Sequence, residues 1–223
     1  MIALLAALVV TQARGVVLDE GTLVIRRDTQ ELGRETFRLL ERRRADSADG
    51  WVLGASARWN SGLRPLVLAP VIELSADTEP DGFAMDVSRN GAVQRITGQP
   101  GRGRFTLRFI APGMERAREL ASRPPSVVVV DSVFAPYLLA AWRARDTART
   151  VTAVYPRAAR RTVLTITDLG MATTTLNRDP ATLRHVEIRG GPGGPVEVWL
   201  AGDGRLMKVE LPDGALRAER LPP

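Results

Sequence analysis

Residues 83–97 read FAMDVSRNGAVQRIT, and the fold is decided there. Phe83, Met85 and Val87 alternate with smaller or polar neighbours, and residues 91–97 alternate again after Asn90-Gly91. Period-two alternation places successive side chains on opposite faces of a strand. Asn-Gly tolerates the positive φ that a two-residue hairpin turn demands. Four more such pairs, Asp49-Gly50, Asp81-Gly82, Asp203-Gly204 and Asp213-Gly214, sit beside similar runs and read as hairpin tips. The pattern predicts a mainly β chain, built as a large antiparallel meander.

The same period extends outward in both directions. Phe105, Leu107 and Phe109 alternate with Arg104, Thr106 and Arg108. Upstream, Leu66, Leu68, Ile72 and Leu74 run through a segment carrying Pro65 and Pro70, which cannot donate to a ladder, so this strand should be an edge, bulged or bent. Trp51, Leu53, Ala55, Ala57 and Trp59 share one face of another strand. A first hairpin joins residues 21–27 to 34–42 around Asp28-Thr29-Gln30. In its second arm Phe37 and Leu39 share a face with Glu35 and Glu41, which predicts a buried middle and wet ends. Residues 114–122 suit either a helix or an extended arm.

Val127 to Val130 is too apolar for a strand with one wet face and should be covered on both sides. Asp131-Ser132 then reads as a helix cap, and residues 133–145 as the helix. Phe134, Leu138, Leu139 and Trp142 fall along one stripe, and Arg143 and Arg145 near its C-terminal end complement the helix dipole. Pro136 allows the regular helix to begin at that residue. Residues 150–155, 161–168, 172–178 and 183–189 return to strands, and after the glycine-rich break 190–194 come 196–200, 205–211 and 215–220. About a dozen strands exceed what an open twisted sheet usually holds without curling. The expected architecture is a half-barrel or open barrel with one central helix, and no repeat of 20 to 50 residues suggests a propeller or solenoid instead.

Composition narrows the setting. Residues 1–13 hold an apolar stretch ending in Thr11-Gln12-Ala13, which reads as an export signal cleaved after Ala13, although no basic residue precedes it. It is shorter than the roughly 20 residues of a membrane-spanning helix. Residues 14–223 would then form a single β-rich domain, in the periplasm or cell envelope of a bacterium. The absence of cysteine excludes disulfides, thiolate metal sites and thiol nucleophiles. Of 31 basic residues only Lys208 is lysine, and the net charge of +6 suits peripheral contact with an anionic membrane. The arginines are scattered and aromatics make up 5% of residues, so a base-stacking nucleic-acid groove is not expected.

Catalytic chemistry finds little purchase. His185 is the only histidine and sits in an alternating strand, and no G-x-S-x-G pattern supplies a nucleophile. Asp131 reads as a cap before it reads as a catalytic acid. The break Gly190 to Gly194 lacks the Lys-Ser or Lys-Thr of a phosphate loop and leads into a strand. No metal site, cofactor or enzymatic activity is expected. A curled sheet with a single apolar helix instead implies an interior that is either packed or left as a greasy pocket. Trp51, Leu53, Trp59, Phe109, Phe134 and Leu138 are the candidate wall of that pocket.

Three stretches carry a family resemblance: Gln30 to Phe37, Val127 to Asp131, and Val198 to Leu200 with Asp203 to Glu210. Together they resemble exported bacterial β-proteins whose fold is similar to lipoprotein carriers of the LolA/LolB type. The resemblance implies an antiparallel half-barrel with a helical lid and a cavity for acyl chains. The expected function is a non-catalytic envelope binding protein or carrier for a lipid or other hydrophobic small molecule. The alternatives are an interaction module with a packed interior and an envelope protein partner, and a secreted hydrolase whose carboxylates meet only in space.

Overall fold

The computed structural model of the protein describes residues 15–44, 47–60, 65–145 and 147–222. The apolar leader expected at residues 1–13 lies outside the described residues. The strands are β1 (Gly15–Arg27), β2 (Gln30–Arg44), β3 (Ser47–Trp59), β4 (Leu66–Leu74), β5 (Pro80–Arg89), β6 (Ala92–Gly101), β7 (Arg104–Ala111), β8 (Met114–Ala121) and β9 (Ser126–Val128). A six-residue helix α1 (Pro136–Ala141) follows, then β10 (Arg149–Tyr155), β11 (Arg160–Leu176), β12 (Asp179–Arg189), β13 (Val196–Leu200), β14 (Leu206–Leu211) and β15 (Leu216–Arg220).

All fifteen strands belong to one sheet, in the order β8-β7-β6-β5-β4-β3-β2-β1-β15-β14-β13-β12-β11-β10-β9. Two meanders therefore run away from a central seam where β1 pairs with β15. Every pairing is antiparallel except β9 with β10, because β9 arrives by a crossing rather than by a hairpin. The terminal strands β8 and β9 do not pair with each other, so the sheet stays open. It curls until β9 meets β5 and β8 meets β11. The protein is thus mainly β, an open half-barrel with one short helix inside.

The inward faces supply Leu23, Ile25, Leu39, Leu53, Leu68, Ile72, Ile96 and Leu107, all buried. They close around Val127 to Val130 and α1, every residue of which is buried. The valine run is covered on both sides as its composition demands. Chain 126–145 is the plug of the half-barrel, and its burial accounts for a core that the sheet alone could not fill.

Several expectations change. Asn90-Gly91 turns the β5–β6 hairpin with φ of 57° and 81°, the double positive φ of a type I′ turn. Asp203-Gly204 and Asp213-Gly214 also lie between strands. Asp49-Gly50 and Asp81-Gly82 do not: they sit inside β3 and β5, where the ladders skip Asp49 and Asp81 as the extra residues of bulges. Residues 114–121 are a strand. β4 is not an edge, since it pairs with β3 and β5. Pro70 is accommodated because the β3–β4 register lapses between Gly54–Val71 and Ala57–Leu68, while the ladder to β5 continues past it. Helix α1 starts at Pro136, the shorter of the two expectations, and Asp131 does not cap it.

Candidate functional site

The plug is latched at its middle and at its two ends. Glu35 projects inward from β2, between Leu23 of β1 and Ala57 of β3, and is completely buried. It is not the wet strand end that its charge suggested. Its two oxygens accept the backbone N–H groups of Phe134 and Ala135, each at 2.7 Å. Ala135 is the helix N-cap and has no side-chain cap of its own, so Glu35 supplies from across the sheet what Asp131 was expected to supply locally. Burial pushes the Glu35 carboxyl up to about 7, against the opposing pull of those two N–H groups. Nearby, the indole N–H of Trp59 donates to the Ser132 carbonyl at 2.8 Å.

Both ends are held by the β4–β5 loop. Glu79 accepts the backbone N–H of Ser126 at 2.9 Å and its hydroxyl at 2.8 Å. Arg143, just past α1, pairs with Glu79 at 3.0 Å and donates to the carbonyls of Ser126 and Thr78. Start and finish of the plug are therefore tied to one loop. Arg145 donates to the carbonyls of Trp142 and Ala144, at and beyond the C-cap of α1; the last turn of the helix holds no basic residue, so the arginines do not stand where they were expected to complement its dipole.

Two spaces remain. An apolar cleft of about 450 Å³ opens on the outer face over β2 to β5, where the β3–β4 ladder lapses. Outward Thr36, Gly54, Ser56 and Val71 form its floor edges, and it reaches down to inward-facing Phe37 and Met85. Small residues create it: a Cβ built on Gly54 meets nothing within 4 Å. Arg38 and Arg95 flank the mouth, paired with Glu20 at 3.2 Å and Asp86 at 2.8 Å. A second, more enclosed niche of about 190 Å³ lies between the plug and the loop 190–194. Trp59, Phe134, Tyr137 and Tyr155 give it aromatic walls, and Asp131 faces it.

The residues proposed from sequence as a single cavity wall are divided by the structure. Trp59 and Phe134 line the niche, their rings 6.1 Å apart. Trp51 packs edge-on against Trp142 at 5.9 Å, at the far end of the plug. Leu53, Phe109 and Leu138 are buried within the core cluster and line neither space. The cleft escaped sequence reading because it is made by residues that are missing bulk. The only local signal was Pro70 with the glycine and alanines across from it. His185 stacks on Trp199 at 3.9 Å and meets Glu197 at 2.5 Å, away from both spaces. Among the described residues no group of three or more His, Asp or Glu side chains is gathered as a metal site.

No protein-family model matches the sequence, and no curated protein matches it. A solved structure does resemble it: the β-barrel-like protein of a domain of unknown function, DUF1849, from Brucella abortus. The two share 12% identity at a TM-score of 0.59, over 91% of this chain and 94% of that one. At that identity the likeness concerns the fold alone, a β-barrel-like architecture.

Proposed function

We propose that the protein is a non-catalytic binding protein of the bacterial envelope, which holds a lipid or other hydrophobic molecule in the outer cleft. The observation that carries this reading is the cleft itself, apolar, about 450 Å³, and within the size range of small-molecule sites. Arg38 and Arg95 at its mouth are exposed, and a phosphate or carboxylate headgroup would exchange with their present carboxylate partners. Export by the leader, peripheral contact with anionic lipid and kinship with the LolA/LolB carriers belong to the same proposal. The acyl chain is assigned to the cleft because the interior is occupied by the plug.

Substitution at Gly54 provides the test. Gly54→Leu would place a side chain into the open space of the cleft without touching its walls at Cβ. Wild-type protein is expected to take up a fluorescent fatty acid, and the variant to lose that uptake while keeping its melting temperature within a few degrees. Equal uptake by both proteins, or none by the wild type, would remove the cleft as a lipid site.

A second reading, an interaction module with a packed interior, is favoured by the filled core and by β8. That strand ends the sheet and exposes nearly all its side chains, so a partner strand would pair along its free edge. Co-purification of an envelope protein that is lost on deletion of residues 114–121, with no fatty-acid uptake, would select this reading over the first.

A further inference from the structure

The niche beside the plug contains more polar chemistry than a packing defect explains. Besides Ser132, three of the side chains lining it bear oxygen: the Asp131 carboxylate and the hydroxyls of Tyr137 and Tyr155. None of the three side chains hydrogen-bonds to another described residue. Tyr137 and Tyr155 are nevertheless almost fully buried, at 8% and 2% exposure. Asp131 is half-buried, and the oxygens of all three open to the niche, so whatever occupies it, water or a ligand, supplies their hydrogen-bond partners.

They also lie close enough to feel one another. Burial foremost, with the Asp131 charge adding to it, raises the Tyr155 hydroxyl to about 12. The Tyr137 hydroxyl is raised by burial and then by Tyr155 and Asp131. Asp131 is the one ionisable carboxyl in the lining; burial foremost pushes its pKa up, and the charges of Arg157 and Arg160 pull it back down. Arg157 approaches its backbone carbonyl at 3.5 Å, and Arg160 lies over the Tyr155 ring at 5.5 Å, but neither forms an ion pair with its carboxylate. Ser132, in the wall next to it, holds a left-handed φ of 69°, which a non-glycine residue adopts at a cost and which tends to mark functional positions. Trp59 and Phe134 complete an apolar, aromatic enclosure.

We propose that this niche binds a small organic cation, a primary ammonium on a compact apolar body. An ammonium offers three donors and no acceptor, matching one carboxylate and two hydroxyl oxygens to which no other described group donates; each tyrosine keeps its own O–H as a donor. Aromatic faces attract a cation once it is desolvated, and they cover its apolar body. The volume, about 190 Å³, corresponds to roughly six waters. That accommodates a molecule the size of benzylamine and excludes a lipid. The site is independent of the outer cleft: the two share no lining residue.

Calorimetric titration of the full chain with benzylamine, and with benzyl alcohol as its neutral counterpart, tests the assignment at pH 7. Benzylamine is expected to bind and benzyl alcohol to bind at least tenfold more weakly. Asp131→Asn should weaken benzylamine roughly tenfold or more, the scale of a lost hydrogen bond to a charged group, and leave benzyl alcohol unchanged. Tyr155→Phe, which keeps the ring and removes one acceptor, should weaken benzylamine several-fold and serves if the Asn variant does not fold. Gly54→Leu should leave benzylamine binding intact, so failure of the lipid cleft is read separately. No binding at millimolar benzylamine, equal affinity for the alcohol, or affinity unchanged in Asp131→Asn and Tyr155→Phe would each overturn the proposal. Tetramethylammonium binding as tightly as benzylamine would also overturn it, because that ion has no N–H to donate.

Discussion

Glu35 lies two residues before Phe37 on a period-two strand, so alternation alone turns its side chain inward. Its charge argued for a wet end, because an unpaired buried carboxylate costs several kcal/mol. The donors that resolve the conflict sit 99 and 100 residues away, beyond the reach of any local pattern. The Glu35 carboxyl is raised from 4.5 to about 7, so the folded chain binds its proton more tightly than the unfolded chain does. Its contribution to stability is therefore complete below about pH 4.5 and is lost as pH rises through about 7, a change on the order of 3 kcal/mol. Urea unfolding between pH 5 and pH 8 should show wild-type stability falling with pH, and Glu35→Gln should flatten that slope. A second residue-scale expectation concerns Gly98, over which Phe105 lies: a Cβ there would stand 2.3 Å from the ring. Gly98→Ala should cost about 1–3 kcal/mol by overpacking, read as a lowered melting temperature.

Among the elements, β4 and the plug depart furthest from local expectation. Pro65 and Pro70 predicted an edge, bulged or bent strand. β4 is not an edge, since it lies between two neighbours, but it is irregular as the prolines required: the β3 ladder lapses beside Pro70 and the β5 ladder shifts register between Glu73 and Leu74. That lapse opens the outer cleft. The plug was legible as an apolar run followed by a helix, although its arginines lie past the last helical turn. Its length and its caps were not, because α1 takes its N-terminal acceptor from Glu35 and its neighbours from the sheet. Helices this short are marginal without tertiary packing. Glu79 joins both ends of the plug, so Glu79→Ala should destabilise the protein by roughly 1–3 kcal/mol through the donors left without acceptors. Hydrogen exchange followed by mass spectrometry should show residues 126–145 losing protection before the flanking strands do.

At the scale of the molecule, β1 and β15 make the N- and C-terminal ends of the described chain neighbours at the middle of the sheet. Arg220 on β15 reinforces that seam by pairing with Asp19 at 2.5 Å and donating to the Glu20 carbonyl. Such long-range pairing must wait for a large loop to close, which favours slow, cooperative folding. Ending the chain after residue 215 removes β15 from the centre of the sheet. The truncated protein is expected to lose its single sharp thermal transition in circular dichroism. The sequence by itself determined the class of the fold, since period-two alternation and turn residues act between neighbours in the chain. It marked most of the strands, though not β8, and it marked the Asn90-Gly91 hairpin, the apolar plug and the need for the sheet to curl. Tertiary structure alone decided which space stayed empty and which charge was buried. Cavities arise where bulk is absent from several strands at once, and the partners of a buried group are chosen by where the curled sheet brings distant residues together.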